Sequence, residues 1–365
     1  MECRMELFRC RGSREGGFSA QEMYISARSS GGKVCGLSFV GDRVVRSPFP
    51  VVVQSPLSLI PIPPQPTATM KSLAPLFLFA PLALASAPST TNTQWKRTLF
   101  LDDFTGPANT LPSSSNWILQ TGTQYSGGPS QWGTGEVETY TTSTANVRQA
   151  GNGSLLIIPQ KSSSGQWTSA RIETRANNFA APVGGKLRIE ARIKMPSVTT
   201  TNGQGYWPAF WALGGDFRSN RQSWPGVGEI DIMENVNAQT GVTNALHCGT
   251  NPGGPCNEPN GLGATTSCQG SICLGNFHIY EIVIDRTVSP ERLNFWVDRV
   301  LHRTLTQSQL GATTWKNTIQ KGFYVILNVA IGGSFPNAVA GRGTPNTATV
   351  GGRAMEVDYV AVWST

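Results

Sequence analysis

Apolar and polar side chains alternate along several stretches in the second half of the chain. In residues 187–194, Leu, Ile and Ala at the odd positions alternate with Arg, Glu and Lys at the even positions. Successive side chains of a β-strand point to opposite faces, so this period of two predicts a strand with one buried face. Similar patterns predict further strands at 279–285, 293–298, 323–331 and 355–363.

Turn-forming residues separate these predicted strands, as at Ser289-Pro290, Asp298-Arg299 and Gly332-Gly333. The chain holds 40 Gly and 24 Pro, and its sequence shows no long amphipathic helical pattern. Many short strands between turns are typical of a sandwich or jelly roll. We therefore predict one all-β domain from about residue 95 to 365, a β-jelly-roll sandwich with a concave substrate cleft.

The formal net charge of +7 is spread over the 365 residues without a cluster of Lys or Arg. Proteins that bind nucleic acid usually carry a basic stripe, so no nucleic-acid partner is expected. No run reaches the roughly 18 apolar residues of a membrane-spanning helix. Stable membrane insertion is therefore not expected either.

A secretory leader pattern lies inside the chain rather than at its beginning. Residues 70–87 start with Met70 and Lys71, continue with an apolar core, and end in Ala85-Ser86-Ala87. A positive start, an apolar core and small residues before the cleavage point are the features of a signal peptide. We therefore predict a secreted, extracellular protein with its signal peptide at 70–87.

Residues 1–69 precede this leader, show no sustained period of two or 3.6, and end in a Pro-rich stretch. Such a segment is predicted to be disordered. Because a signal peptide stands at the N-terminus of a protein, we interpret 1–69 as an over-extended gene model with Met70 as the true start. The alternative is a genuine extension followed by a short internal membrane anchor.

Four cysteines agree with export, since Cys248, Cys256, Cys268 and Cys273 fall within 26 residues. An even, closely spaced set in an exported chain predicts two disulfides, and the sequence leaves the three pairings open. A zinc site is the alternative, but the spacing lacks the CxxC pair of a zinc knuckle. Asn152 begins an Asn-Gly-Ser sequon and is a candidate glycosylation site.

The most informative stretch is GVGEIDIMENVN at 226–237. In a strand, Glu229 and Asp231 point to one face because they are two residues apart. Glu234 is at an odd separation from both, so a regular strand would turn it to the opposite face. A β-bulge near Ile232-Met233 corrects the parity and places all three carboxylates on one face.

Carboxylates this close repel one another, so one pKa is expected to rise and another to fall. Retaining glycosidases use such a pair, one as nucleophile and one as acid/base, with carboxyl groups about 5–5.5 Å apart. Two alternatives stay open at this point. The strand could be a solvated acidic face, or its oxygens could bind calcium, although calcium loops carry Gly and Asn between their ligands.

The sequence resembles glycoside hydrolase family 16 in its laminarinase-like form, from about Phe104 to Trp363. GEIDIMEN matches the bulged ExDxxE signature of that family. The resemblance implies a jelly roll with a substrate cleft. Further matching motifs follow in the expected order: WGTGEVETYT (132–141), WTSARIETR (167–175), YWPAFWALGGDFR (206–218), LHCG (246–249), ILNVAIGGSFPN (326–337) and MEVDYVAVW (355–363).

By position, the resemblance implies Glu229 as the nucleophile and Glu234 as the general acid and then base. Asp231 between them would tune the charge and position of the nucleophile. The resemblance also implies five residues at or near the substrate cleft: Trp211, Trp224, His247, Asn328 and Arg171. The alternatives are a place in the core for the two Trp, structural hydrogen bonding for His247 and a structural or rim position for Arg171.

Many members of the family carry a structural calcium, and Asp103, Gly153 and Asp358 stand where its ligands would be. The local sequence is Asp-Asp-Phe, whereas many relatives have Asp-Glu-Phe, and the shorter side chain weakens the match. No cofactor is expected for catalysis itself.

The resemblance implies endo-hydrolysis of a β-1,3- or mixed β-1,3/1,4-glucan with retention of configuration, so the expected partner is a β-linked polysaccharide. Endo-β-1,3-galactanases and cell-wall transglycosylases share the same carboxylates and stay open as alternatives. A lectin-like glycan-binding protein on the same fold is a third alternative, although such proteins usually lose a catalytic carboxylate. We expect a monomer.

Overall fold

The computed structural model describes residues 23–28, 34–39 and 94–365. In the N-terminal part, strands β1 (Met23–Arg28) and β2 (Val34–Phe39) pair in antiparallel fashion. This pairing differs from the disorder predicted for residues 1–69. The rest of that segment and the predicted signal peptide at 70–87 lie outside the described residues, so those predictions stay predictions.

A seven-stranded antiparallel sheet carries the residues that the sequence singles out. Its two long central strands, Tyr206–Gly214 and Phe323–Ile331, are buried at nearly every position. Its strands, in spatial order, are β15 (Leu262–Thr266), β14 (Val242–His247), β13 (Glu229–Glu234), β12 (Tyr206–Gly214), β19 (Phe323–Ile331), β10 (Arg171–Thr174) and β4 (Trp117–Gln120).

An eight-stranded antiparallel sheet forms the second layer. It contains four of the five strands that the alternating pattern predicted. The strands are β18 (Val300–Thr306), β17 (Arg292–Val297), β16 (Phe277–Asp285), β11 (Lys186–Lys194), β20 (Met355–Ser364), β7 (Leu155–Ile157) and β6 (Val147–Gln149), with β3 (Arg97–Asp102) also paired to β20.

The remaining elements are short. A three-stranded sheet has the order β5 (Thr139–Tyr140), β9 (Trp167–Ser169) and β8 (Gln160–Lys161). Within the described ranges, the helices have no more than seven residues each, which agrees with the absence of helical patterns in the sequence. They are α1 (Gln307–Leu310), α2 (Ala312–Thr318) and α3 (Ser334–Ala340), with 3-10 turns at Ser130–Gly133 and Gly215–Arg218.

The main hydrophobic core lies between the two large sheets, and strand β19 shows how the sequence builds it. Phe323, Val325 and Leu327 belong to this core, whereas Tyr324 and Ile326 belong to an aromatic cluster on the opposite face. Both faces of the strand are therefore covered, which explains its continuous apolar run. The architecture confirms the predicted all-β jelly-roll sandwich.

The four clustered cysteines form two disulfides, Cys248–Cys256 and Cys268–Cys273. This confirms disulfide formation over the zinc alternative and gives the pairing that the sequence left open. In residues 94–365 and the two N-terminal strands, no helix is both long and apolar enough to cross a membrane.

Candidate active site

The predicted β-bulge lies in strand β13. The neighbouring residues Phe210 and Trp211 of β12 pair with Met233 and Asp231 of β13, so Ile232 is the extra residue of the bulge. The pairing of β13 with β14 is also irregular between Asp231 and Glu234. Ile232 and Met233 both pack in the core between the sheets. The parity therefore changes at the bulge, and Glu229, Asp231 and Glu234, the acidic triad, share the opposite face.

The acidic triad lies in a cleft of about 930 Å³, open solvent at its mouth included. Aromatic side chains dominate its walls, as expected for a surface that binds sugar rings. Of the predicted cleft residues, Trp211, Trp224, Asn328 and Arg171 line it. The other lining residues include Tyr125, Trp132, Thr134, Glu136, Trp207, Leu213, Phe217 and Arg221.

Glu229 is half-buried, and its burial raises its pKa to about 8. The negative charge of Asp231 adds to this rise, and the positive charges of His247 and Arg171 act against it. Carboxylate oxygens of Glu229 and Asp231 and a ring nitrogen of His247 lie within 4.8 Å of one another. Two positive charges, those of His247 and Arg171, thus act on Glu229.

Glu234 is buried, and burial likewise raises its pKa to about 8, with Asp231 again adding to the effect. Trp207 acts in the opposite direction, because its indole Nε1–H donates a 2.7 Å hydrogen bond to Glu234 Oε1. Burial and the charge of Asp231 therefore raise the pKa of both Glu229 and Glu234, so the triad holds a proton near neutral pH. Chemistry with one protonated and one ionised carboxyl needs this state.

His247 lies behind the triad, between two carboxylates. Its Nδ1 is 2.7 Å from Glu258 Oε2, and its Nε2 is 3.3 Å from Asp231 Oδ2, an ion-pair contact rather than an aligned hydrogen bond. Burial alone would lower the pKa of His247, but these two carboxylates outweigh it and raise the pKa to about 12. The ring is therefore an imidazolium at neutral pH, and it is not among the residues that line the cleft.

A hydrogen-bond chain fixes Trp211 at the wall of the cleft. Trp211 Nε1 donates to Asn328 Oδ1 at 2.8 Å, and Asn328 Nδ2 donates to Tyr140 Oη at 3.1 Å. The buried guanidinium of Arg171 lies 4.7 Å from the centroids of both Trp211 and Trp132. Trp211 is thus held by its edge and its face, and it lines the cleft while packing against the aromatic cluster beneath it.

Sequence reasoning missed several residues of the cleft. Trp207 was detectable, because it precedes Trp211 by four residues in the same strand and must share its face. Trp132 and Glu136 lie in a matching motif but follow no regular pattern. Glu258 gave no signal, since only the fold of the cysteine loop brings it to His247.

The three residues predicted to bind calcium, Asp103, Gly153 and Asp358, lie near one another in the structure. A Cβ atom on Gly153 would lie 3.8 Å from the carbonyl oxygen of Asp103. Burial raises the pKa of Asp358, and the charge of Asp103 contributes to that rise. Oxygen ligands suit Ca²⁺, but Arg192 Nη1 already donates to Asp358 Oδ2 at 2.9 Å. Calcium binding therefore stays a prediction.

Known proteins resemble this chain in both sequence and fold. A family model described as an XgeA-like catalytic GH16 domain matches residues 159–271. The solved endo-1,3-beta-glucanase from Streptomyces sioyaensis is 53% identical, with a TM-score of 0.74, and the match covers 76% of this chain and 99% of that one. The endo-beta-1,3-glucanase structure from Pyrococcus furiosus is 30% identical, with a TM-score of 0.58 over 74% and 94% of the two chains.

Among curated relatives, glucan endo-1,3-beta-glucosidase A1 of Niallia circulans is 30% identical over 280 residues. This match covers 73% of the present chain but only 37% of that relative, so the chain spans about a third of its length. The solved structures are matched over nearly their whole length, and the range that the family model matches, residues 159–271, includes the bulged strand with its three acids. This chain therefore belongs to glycoside hydrolase family 16.

Proposed function

We propose that the protein is a retaining endo-β-glucanase that cleaves β-1,3- or mixed β-1,3/1,4-glucan. The observation that carries this proposal is the bulged strand β13, which presents Glu229, Asp231 and Glu234 together in an aromatic cleft. The relatives that are named as endo-1,3-beta-glucanases support the choice of substrate.

In the first half of the reaction, Glu229 is the nucleophile because His247 and Arg171 stabilise its ionised form. A carboxylate oxygen of Glu229 attacks the anomeric carbon, and the glycosidic C–O bond breaks. Glu234, protonated because of its burial, gives its proton to the leaving oxygen. The products are a glycosyl ester on Glu229 and a shortened chain with a free hydroxyl group.

In the second half, the ionised Glu234 takes a proton from water, and the water oxygen attacks the anomeric carbon. The ester bond to Glu229 breaks, and both carboxyl groups return to their starting states. Two inversions at the same carbon give net retention. Asp231 keeps the negative charge between the two Glu side chains that raises both pKa values.

The test is incubation with laminarin, lichenan, curdlan and β-1,3-galactan, followed by measurement of reducing ends, product size and the anomeric form released first. We expect short β-anomeric oligosaccharides from at least one glucan, and loss of activity by at least about a thousandfold in Glu229→Gln with retained polymer binding.

The other outcomes identify the alternatives. Cleavage of galactan alone would identify a galactanase, and products longer than the substrate without new reducing ends would identify a transglycosylase. Binding of polymer without turnover in the folded wild-type protein would indicate a lectin-like function and contradict the proposal.

We also propose that the protein is exported and acts as a monomer. The two disulfides support export, since such bonds persist in oxidising compartments. All members of the acidic triad come from one chain, which supports a monomer. Expression in a secreting host with N-terminal sequencing of the product, and size-exclusion chromatography with light scattering, test these two points.

A further inference from the structure

The loop that follows strand β14 is closed on itself next to the acidic triad. The Cys248–Cys256 disulfide joins its first residue to a point two residues before Glu258. Gly253 and Glu258 exchange both backbone hydrogen bonds, with N···O distances of 2.8 and 2.6 Å. The backbone of Glu258 is therefore fixed, although its neighbours Asn257 and Pro259 are exposed.

The side chain of Glu258 points inward, and only 4% of the residue is exposed. One carboxylate oxygen accepts the backbone N–H of Cys248 at 2.8 Å, and the other lies 2.7 Å from Nδ1 of His247. A buried carboxylate is costly unless its oxygens are paired. Both partners of Glu258 lie at the end of strand β14, directly behind the acidic triad.

The same loop fixes the ring of His247 in place. Gly261 approaches it so closely that an added Cβ atom would lie 2.7 Å from its Cε1. Trp224 covers it from the cleft side, with ring centroids 5.7 Å apart. The ring cannot turn without moving one of these neighbours, so its two nitrogens stay directed at Glu258 and Asp231.

We propose that Glu258 is a positioning residue of the enzyme: it holds the ring of His247 in one orientation, with the charge of that ring facing Asp231 and Glu229. The proposal rests on the proposed function for its effect on turnover. A carboxylate only accepts hydrogen bonds at neutral pH. The ring of His247 therefore donates to Glu258 from Nδ1, and a second proton on Nε2 gives it the positive charge that pairs with Asp231.

The charges around His247 predict what its cation does. Glu229 and Asp231 face it from strand β13, and Glu258 faces it from the loop. The cation lowers the pKa of Glu229 and of Glu234 against the effect of burial. Loss of this cation would raise the pKa of Glu229, and the nucleophile would then be protonated over more of the working pH range.

The experiment is the substitution Glu258→Gln, with NMR titration of the histidine rings and steady-state kinetics in parallel. The chain has only three histidines, so the signal of His247 can be assigned with His278→Gln and His302→Gln. A Gln amide cannot accept from both Cys248 and His247. We expect a wild-type ring that stays protonated above pH 9, and a variant ring that loses its proton at lower pH.

In kinetics, we expect Glu258→Gln to lower kcat at pH 6 by at least about tenfold while KM changes less than about twofold. The acidic limb of the pH profile should move to higher pH. Two matched variants control for structural effects. Glu291→Gln removes another carboxylate with several hydrogen bonds, since Glu291 accepts from Arg286 and Trp315. Asn260→Ala alters an exposed residue of the loop that contains Glu258. Both should leave the pH profile unchanged.

The proposal is overturned if His247 titrates in its ordinary range in the wild type, or if Glu258→Gln changes neither its titration nor kcat. A variant that loses thermal stability without a shift of the acidic limb would show that Glu258 only supports the loop. If the wild-type protein cleaves none of the glycans, the proposed function fails. The NMR titration then decides by itself whether Glu258 holds the cation.

Discussion

At the level of single residues, one indole N–H distinguishes the surroundings of Glu234 from those of Glu229. The hydrogen bond from Trp207 lowers the pKa of Glu234 against the effect of burial. In Trp207→Phe this stabilisation of the charged form is lost, so the pKa of Glu234 rises. We expect the alkaline limb of kcat/KM, near pH 8 in the wild type, to move to higher pH.

The matched control for this prediction is Trp132→Phe. Trp132 also lines the cleft, but its buried indole N–H has no hydrogen-bond partner. Its substitution should change KM at most and leave the alkaline limb in place. Equal shifts in both variants would mean that the cleft environment, and not the hydrogen bond to Glu234, sets the limb.

The raised pKa of Glu234 also predicts how stability depends on pH. Between about 4.5 and 8 the folded state binds more protons at this group than the unfolded state does, so the free energy of unfolding falls as pH rises. Glu234→Gln cannot ionise and avoids this loss. Its Tm should equal that of the wild type near pH 4.5 and exceed it by several degrees at pH 8, since 1 kcal/mol changes Tm by about 2–4 °C in a domain of this size. Calorimetry at both pH values tests this, and a constant difference in Tm would contradict it.

Parity along one strand explains why the triad could be predicted from sequence. Two carboxylates on one face and a third at an odd separation leave a bulge as the simplest solution. The neighbours of a side chain within the site are harder to predict from the sequence. His247 was expected near the catalytic centre, either at the substrate or as a structural hydrogen-bonding residue, and the structure places it 3.3 Å from Asp231. Strand position gives the face of a residue and not its neighbours. Glu258 depends on a loop whose path no local pattern encodes.

Strands β12 and β19 meet at the floor of the cleft, where Trp211 bonds to Asn328. Asn328→Ala removes the acceptor of the indole N–H and lets the Trp211 ring move. If the ring contacts bound sugar rather than the reacting atoms, as the resemblance implies, KM for β-glucan should rise several-fold with little change in kcat. Asn294→Ala removes another cross-strand acceptor, which bonds Thr304 in the other sheet, and should leave KM unchanged. A fall in kcat with constant KM would contradict this prediction.

Secondary structure elements were predictable where one face is polar and one apolar. Strand β11 shows the limit of that reasoning, because its polar face is buried as well. Arg188 bonds to Glu281 at 2.9 Å, and its guanidinium lies near the rings of Trp95 and Trp363. Alternation in sequence thus identifies the strand, but it does not reveal that aromatic residues distant in sequence cover its charged side.

At the scale of the whole domain, the two large sheets have different roles. The eight-stranded sheet supports the core, and the seven-stranded sheet presents the triad and the aromatic walls of the cleft. The sequence predicted the sandwich and its concave cleft, but it gave 323–331 only as a further strand, and the structure shows that both faces of this strand are covered. The path of the cysteine loop and the pairing of its disulfides depend on contacts distant in sequence, so they needed the structure.

Calcium would act on the whole fold rather than on the chemistry, because Asp103 and Asp358 lie on or beside strands β3 and β20, which pair in the eight-stranded sheet. A ligand that binds only the folded state stabilises it by about 2.7 kcal/mol at a hundred times its Kd. If Ca²⁺ displaces Arg192 from Asp358, Tm should be higher in Ca²⁺ than in EGTA, with kcat unchanged. Asp103→Asn should reduce this difference, and Mg²⁺ should not reproduce it. Equal Tm values in Ca²⁺ and EGTA would mean that the pair Arg192–Asp358 takes the place of the metal in this protein.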